Sequence, residues 1–228
     1  MLDFIGTIVA AALMVFIFNT LTTFLDVSRG TKLVLSAIFG LWIGICAAAA
    51  AAGVIATSRP FPFVGIFVFA PLVAAAIATA SPAVRTAMLG LPMHVLIGLN
   101  VGRVLAVLFL LLEVEGRLAG PFPFFAAWGD IITGVVAIPM MRLATTTGAW
   151  RTTAIAAWDL FGIADLVLAI TLGVMSAEGS PLQVFHTAPG SEAMQHLPWS
   201  FVPTVLVPLW LVLHAIIWVQ LRRRGPAS

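Results

Sequence analysis

The sequence predicts an all-α bundle of seven transmembrane helices, and three observations carry that prediction. Of 228 residues 61% are hydrophobic and only 9% are charged, with a mean hydropathy of +1.13. Soluble domains carry roughly 25% charged residues, so this chain has too few to clothe a surface in water, and the lipid bilayer is its solvent. The apolar residues form continuous runs of about 20 and not alternations of about ten, which selects helices over a barrel. Between the runs stand short breaks of turn chemistry: DVSRGTK, TSRPFP, ASPAVR, EGRLAGPFP and ATTTGAW.

Seven runs qualify, at about 4–25, 33–56, 61–80, 87–112, 123–143, 152–175 and 200–221. The first, opening MLDFIGTIVA, lacks the positive n-region of a signal peptide and reads as a retained span. The second holds Gly40-Leu-Trp-Ile-Gly44 and the small residues Ala47 to Ala52, a surface for close helix packing within the chain, with a dimer face as the alternative. Pro71 sits inside the third. Pro92 suits the first turn of a helix, so the fourth has an alternative start at 92. Between the sixth and seventh lies a polar loop, 176–199, long enough to cover one mouth of the bundle. Pro203 and Pro208 in the seventh remove helix hydrogen bonds, which predicts a bent or locally unwound span.

Orientation follows from the cations. With the C-terminus in the cytoplasm, Arg29, Lys32, Arg85, Arg142, Arg151, Arg222, Arg223 and Arg224 lie inside, Arg59 and Arg117 outside, and Arg103 within a span. That bias predicts N-out and C-in. Trp150 and Trp218 near the inner interface and Trp199 near the outer one fit an aromatic belt. The pI near 9.5 comes from cations scattered through loops, so nucleic acid is not an expected partner. The single cysteine, Cys46, forbids an intramolecular disulfide. There is no CxxCH, paired-cysteine metal motif, Gly-rich phosphate loop, GxSxG or HExxH, which leans the reading away from an enzyme. The one lysine, Lys32, lies in a loop, which argues against a retinal-type photoreceptor.

Arg103, Asp130, Asp159 and Asp165 fall well inside spans, together with Asn100, His214 and His94 near the start of the fourth. Four unpaired charges at the bilayer centre would cost on the order of 10 kcal/mol. They must therefore face the interior and find partners. Counting rise along each helix brings Arg103, Asp130 and Asp165 together near the midplane or outer half, with Asp159 and His214 nearer the cytoplasmic side. Asn100 and Arg103 share a helix face, as do Trp158, Gly162 and Asp165. Asp159 points about 120° away from Asp165, toward a separate neighbour. Three aspartates against one arginine leave two negative charges uncompensated if all ionise. Either aspartates hold protons, or a histidine or bound cation supplies the balance, the pattern of proton relays and cation paths.

Two histidines in one bundle raise a further possibility, His94 and His214 as ligands of a haem b, or beside a quinone. In the outer loop His186, Glu192 and His196 lack a recognised zinc spacing and read as solvated residues, so no metal site is expected.

The blocks LNVGRVLAVLFLL, AAWGDIITG, AWDLFGIADLVLAITLG and LPWSFVPTVLVPLWLVLH, within roughly the last 130 residues, resemble an uncharacterised family of bacterial seven-span integral membrane proteins. The resemblance implies a seven-span fold in the bacterial inner membrane and carries over no activity. From the residues themselves, the expected function is proton-linked binding or transport of a small solute or ion. Asn100, Arg103, Asp130, Trp158, Asp159 and Asp165 would form its site. The alternatives are the haem or quinone redox protein and a non-catalytic subunit whose buried charges lock the bundle. Neither substrate nor oligomeric state is legible.

Overall fold

The computed structural model describes residues 1–57 and 60–223. Arg59 and Arg224, used above to orient the chain, lie outside the described residues. All regular structure among the described residues is helical. The long helices α1 (Leu2–Phe24) and α2 (Arg29–Ala51) come first, then the single turn α3 (Val54–Thr57), α4 (Pro60–Ala78) and the short α5 (Pro82–Leu89). Next, α6 (Met93–Gly98), a 3-10 segment (Leu99–Ala106) and α7 (Val107–Val114) run on as one span. After α8 (Pro121–Leu143) and α9 (Ala149–Ser176), a loop carries a 3-10 turn at Glu192–Gln195. A π-helical turn (Val202–Leu206) then leads into α10 (Val207–Arg223). Among the described residues six helices are long and apolar enough to cross a membrane; Gly65–Ala78 and Pro82–Leu89 qualify only as a pair, bent by 107°.

The fourth span does not begin at 87. Residues 87–89 close α5, and Pro92 takes the N-cap of α6 with extended backbone. Proline disfavours helical geometry in the residue before it, which separates the two elements at Leu91. The exposed carbonyls at this corner are satisfied from α10. Gln220 Nε2 donates to Leu89 O at 3.1 Å and Leu91 O at 2.8 Å. Gln220→Leu, which leaves both carbonyls short of a donor, is expected to lower stability by about 1–3 kcal/mol. Thermal unfolding in detergent checks it, and an unchanged midpoint would show that the corner does not depend on this side chain.

Four spans make the core: Met93–Val114, α8, α9 and α10 pack on one another, burying Leu96, Leu112, Ile155, Leu166, Leu213 and Ile217 completely. Gly134 lets α8 approach the 3-10 segment backbone to backbone; a Cβ there would lie 2.9 Å from Val104 N and 3.2 Å from Asn100 O. The helices α1, α2 and α4 surround this core. The Gly40/Gly44 face does not serve intramolecular packing as expected. Both glycines are exposed, and among the described residues nothing lies within 4 Å of an added Cβ. α2 instead turns its bulkier side inward, stacking Phe39 on Phe18 at 4.4 Å and burying Cys46 and Ala50.

The last span unwinds locally, as its prolines predict. Pro203 lies in the π turn, where Val207 N reaches back to Val202 O. Pro208 has no N–H to offer Thr204 O, and Trp42 Nε1 of α2 donates to that carbonyl instead, at 3.1 Å. Trp199 departs from its expected place in a lipid-facing belt. It is buried over Gly6, and its Nε1 donates to Asp3 Oδ1 at 2.7 Å. Arg117 also reaches Asp3, at 2.8 Å. The N-terminus therefore shares one end of the bundle with the 176–199 loop, while Gln220 and the end of α10 stand at the other.

Candidate functional site

Arg103 is the hub. It projects from the 3-10 segment in mid-span, is completely buried, and spends its donors on three helices. Nε donates to Asp130 Oδ1 of α8 and Nη2 to Asp165 Oδ2 of α9, each at 2.5 Å. Nη1 lies 3.1 Å from His214 Nε2 of α10 and 3.4 Å from Gly162 O of α9. The planar fork of guanidinium suits this, because its donors diverge toward several carboxylates at once. Trp210, one turn before His214, places its ring 5.8 Å from the Arg103 carbon. A run of eight residues is long for 3-10 geometry, and such a stretch inside a helix is a recurrent mark of a functional hinge.

His214 joins what the sequence left as two clusters. Its Nδ1 lies 2.8 Å from Asp159 Oδ1, and both side chains are fully buried. Guanidinium has donors and no acceptor, so His214 Nε2 must be the acceptor toward Arg103. The ring proton then sits on Nδ1 and is donated to Asp159. This network assigns a neutral imidazole of the Nδ1–H tautomer. Asp159–His214–Arg103 thus continues to Asp130 and Asp165 as one hydrogen-bonded chain through four spans. Trp158 packs against His214, ring centres 5.4 Å apart, and its Nε1 donates to Thr133 O at 3.0 Å. With neutral His214, one cation faces three carboxyl groups.

Two glycines make room for these contacts. A Cβ on Gly129 would overlap the Asp165 carboxylate, and one on Gly162 would stand 2.5 Å from His214 Cε1 and 3.2 Å from Arg103 Nη1. Asn100 shares the Arg103 face, since 3-10 geometry eclipses residues three apart. It does not bond the hub: Nδ2 donates to Leu96 O at 3.1 Å, and Oδ1 is buried without a hydrogen-bond partner among the described residues. Asp159 Oδ2 is likewise buried and makes no hydrogen bond among the described residues.

The chain of charges borders two cavities that meet at Asp130. One, of about 70 Å³, lies between α8, α9 and the π turn, lined by Phe122, Asp130, Leu166, Gly173, Gln195 and Pro203. The other, of about 40 Å³, runs between α1 and the 3-10 segment past Leu13, Arg103, Trp199 and Trp210. A water needs roughly 10–15 Å³ of such space, so each holds a few. Residues of the 176–199 loop, Ser191 and Gln195 among them, also line the larger cavity.

His94 does not join this site. It is exposed on the first turn of α6, offset from Arg103 by about 15 Å along the span. His214 is buried with both ring nitrogens engaged. The two therefore do not stand as an axial pair, and bis-histidine haem does not fit the residues present. Among the described residues no group of three or more His, Cys, Asp or Glu side chains is placed to hold a metal ion. Sequence reasoning missed Gly129, Thr133 and Trp210. Signals for two were present: Gly129 adjoins Asp130, and Trp210 precedes His214 by four residues, on the same helix face.

The family described as a domain of unknown function (DUF8737) matches residues 60–222, and the chain belongs to it. Every member of the buried chain of charges lies within those residues. No curated protein and no solved structure matches the chain.

Proposed function

We propose that this member of the family is a seven-span protein of the bacterial cytoplasmic membrane, N-out and C-in, which binds or moves a small solute or ion in step with protonation of its buried network. The count of seven takes α4 as a crossing in addition to the six long helices, which suits termini at opposite ends of the bundle. The surplus of Lys and Arg at the C-terminal end supports the orientation. The observation that carries the functional reading is the unbroken chain Asp159–His214–Arg103–Asp130, which begins at a carboxylate oxygen with no partner among the described residues and ends on a cavity.

In this reading Arg103 acts as a gate. While Nη1–H points at His214 Nε2, that nitrogen cannot take a proton. If protonation of Asp165 loosens Nη2, the guanidinium pivots on Asp130 and carries Nη1 away from His214. His214 Nε2 then accepts a proton, and Nδ1 passes its own to Asp159 Oδ1, so one proton enters and one leaves the ring. Return of Arg103 requires the Nδ1–H tautomer again, so Nδ1 takes its proton back from Asp159 while Nε2 releases its own toward the cavity side, and the step is reversible. Buried networks of this kind, with carboxylates and histidine inside a membrane bundle, serve proton relays.

Infrared difference spectra of the protein in lipid, taken between mildly acidic and mildly alkaline pH, test this. A carboxylic-acid band that titrates is expected, with one component lost in Asp165→Asn and the change at His214 lost with it. A network showing one fixed protonation state across that range would leave only a structural lock and overturn the reading.

A further inference from the structure

We infer that the ligand of this site is a slender lipophilic organic cation, an alkylammonium in chemical class, which enters sideways from the bilayer and exchanges for a proton at Asp130. The inference rests on the proton-linked reading above and names its substrate class. Charge comes first. One guanidinium faces three carboxyl groups, and a protonated His214 is barred by the Arg103 N–H that points at it. The site is therefore short of positive charge, and Arg103 has each of its nitrogens already engaged. An anion meets carboxylates there, and the hub keeps at most one N–H, on Nη2, to offer it.

Asp130 is where the deficit is reachable. It is more than nine-tenths buried, lines both cavities, and bonds Arg103 through Oδ1 alone among the described residues, which leaves Oδ2 for a ligand. The rest of the larger cavity is apolar: Phe109, Phe122, Leu166, Ile170 and Val207 surround that one carboxylate, with Ser191 and Gln195 at the loop end. A hard inorganic cation such as Ca²⁺ or Mg²⁺ needs about six oxygen ligands, and this lining does not offer them. A cation whose body is hydrocarbon does fit. Its N–H groups meet Asp130, and its chain replaces nothing but apolar contacts.

The way in lies on the flank of the bundle. A groove of about 520 Å³ runs between α4, α9 and residues 181–184 of the loop, past Gly65, Phe69, Thr171 and Leu182. Val68, Ile170 and Val174 line both this groove and the cavity, so these side chains stand between the two. The groove opens beside exposed apolar residues such as Phe69 and Leu182, where acyl chains would lie. An amphipathic cation already dissolved in the bilayer thus reaches Asp130 without crossing water. On arrival the ammonium supplies the charge that a proton supplied before, and one proton leaves for each cation bound.

The test uses the full chain in phosphatidylcholine nanodiscs, with radiolabelled octylammonium as probe, octanol and octanoate as uncharged and anionic controls, and empty nanodiscs subtracted. A pH dye in weak buffer counts released protons. Octylammonium should bind saturably with release of one proton per site, while octanol and octanoate should not saturate. Asp130→Asn should weaken binding roughly tenfold to a hundredfold, the loss of a charge-assisted hydrogen bond. Ala169→Phe, which fills the cavity and touches no charge, should weaken it without removing the titrating carboxyl band, which also covers the case in which Asp130→Asn fails to fold. Saturable binding of octanol equal to that of octylammonium, or binding without proton release, would overturn the cation assignment while the infrared titration still upheld the proton-linked reading. Loss of that titration in the unliganded wild type would instead remove the reading itself.

Discussion

Arg103→Met is expected to cost about 3–5 kcal/mol of stability, the largest loss from any single substitution in this protein. The side chain is buried completely and holds Asp130 and Asp165 at once, with His214 and Gly162 on its remaining nitrogen. Removing it leaves carboxyl groups facing each other in a medium where unpaired charge is costly. Arg103→Lys should recover only part of the loss, because a single ammonium cannot address Asp130, Asp165 and His214 from diverging positions. The triple change Arg103→Met, Asp130→Asn, Asp165→Asn should be more stable than Arg103→Met alone, since the repulsion goes with the charges. Unfolding by graded addition of denaturing detergent measures all three. A midpoint for Arg103→Met within error of the wild type would show that water or lipid already solvates these carboxylates.

Gly129→Ala and Gly162→Ala come next in size. A methyl at Gly129 occupies the volume of the Asp165 carboxylate, so the Arg103–Asp165 contact must part. Overpacking costs about 1–3 kcal/mol, and the broken ion pair adds to it. At Gly162 the methyl presses on His214 and Arg103 together, while the carbonyl that accepts from Nη1 stays in place. Gly162→Ala is therefore expected to displace the imidazole and uncouple Asp159 from the hub with a smaller loss of stability. The separation matters. Gly129→Ala should lower the unfolding midpoint most, whereas Gly162→Ala should abolish the titration at His214 with a midpoint only modestly reduced. Equal behaviour of the two would mean that the network responds as a single packed unit.

The residues of the site were legible in the sequence because hydrocarbon tolerates so few polar groups. Arg103, Asp130, Asp159, Asp165 and His214 each stand out in an apolar run, and counting rise along the helices brings Arg103, Asp130 and Asp165 to a common depth. Depth along one helix says nothing about rotation relative to the next, and for that reason His214 was set apart from Arg103. The ring spans the gap because α10 turns it inward beside Gly162, a contact between residues 52 positions apart in the chain. The 3-10 geometry around Arg103 has no signature in LNVGRVLA, whose composition suits an α-helix equally well. Prolines were more informative. Pro92 and Pro203 mark a helix start and a local unwinding through φ restriction and a missing donor, effects that act within one turn. Small residues were less so: GxxxG says that a backbone can be approached, and not that anything approaches it, as Gly40 and Gly44 show.

In the proposed mechanism Arg103 holds His214 as a neutral, Nδ1-protonated relay between Asp159 and the cavity. Nitrogen-15 NMR of histidine-labelled protein in lipid, with His94, His186 and His196 replaced by glutamine, reads this tautomer directly. At neutral pH one protonated Nδ1 and one unprotonated Nε2 are expected, giving way to an imidazolium in Arg103→Met. An Nε2–H tautomer, or an imidazolium in the presence of Arg103, would contradict the gate and the relay built on it.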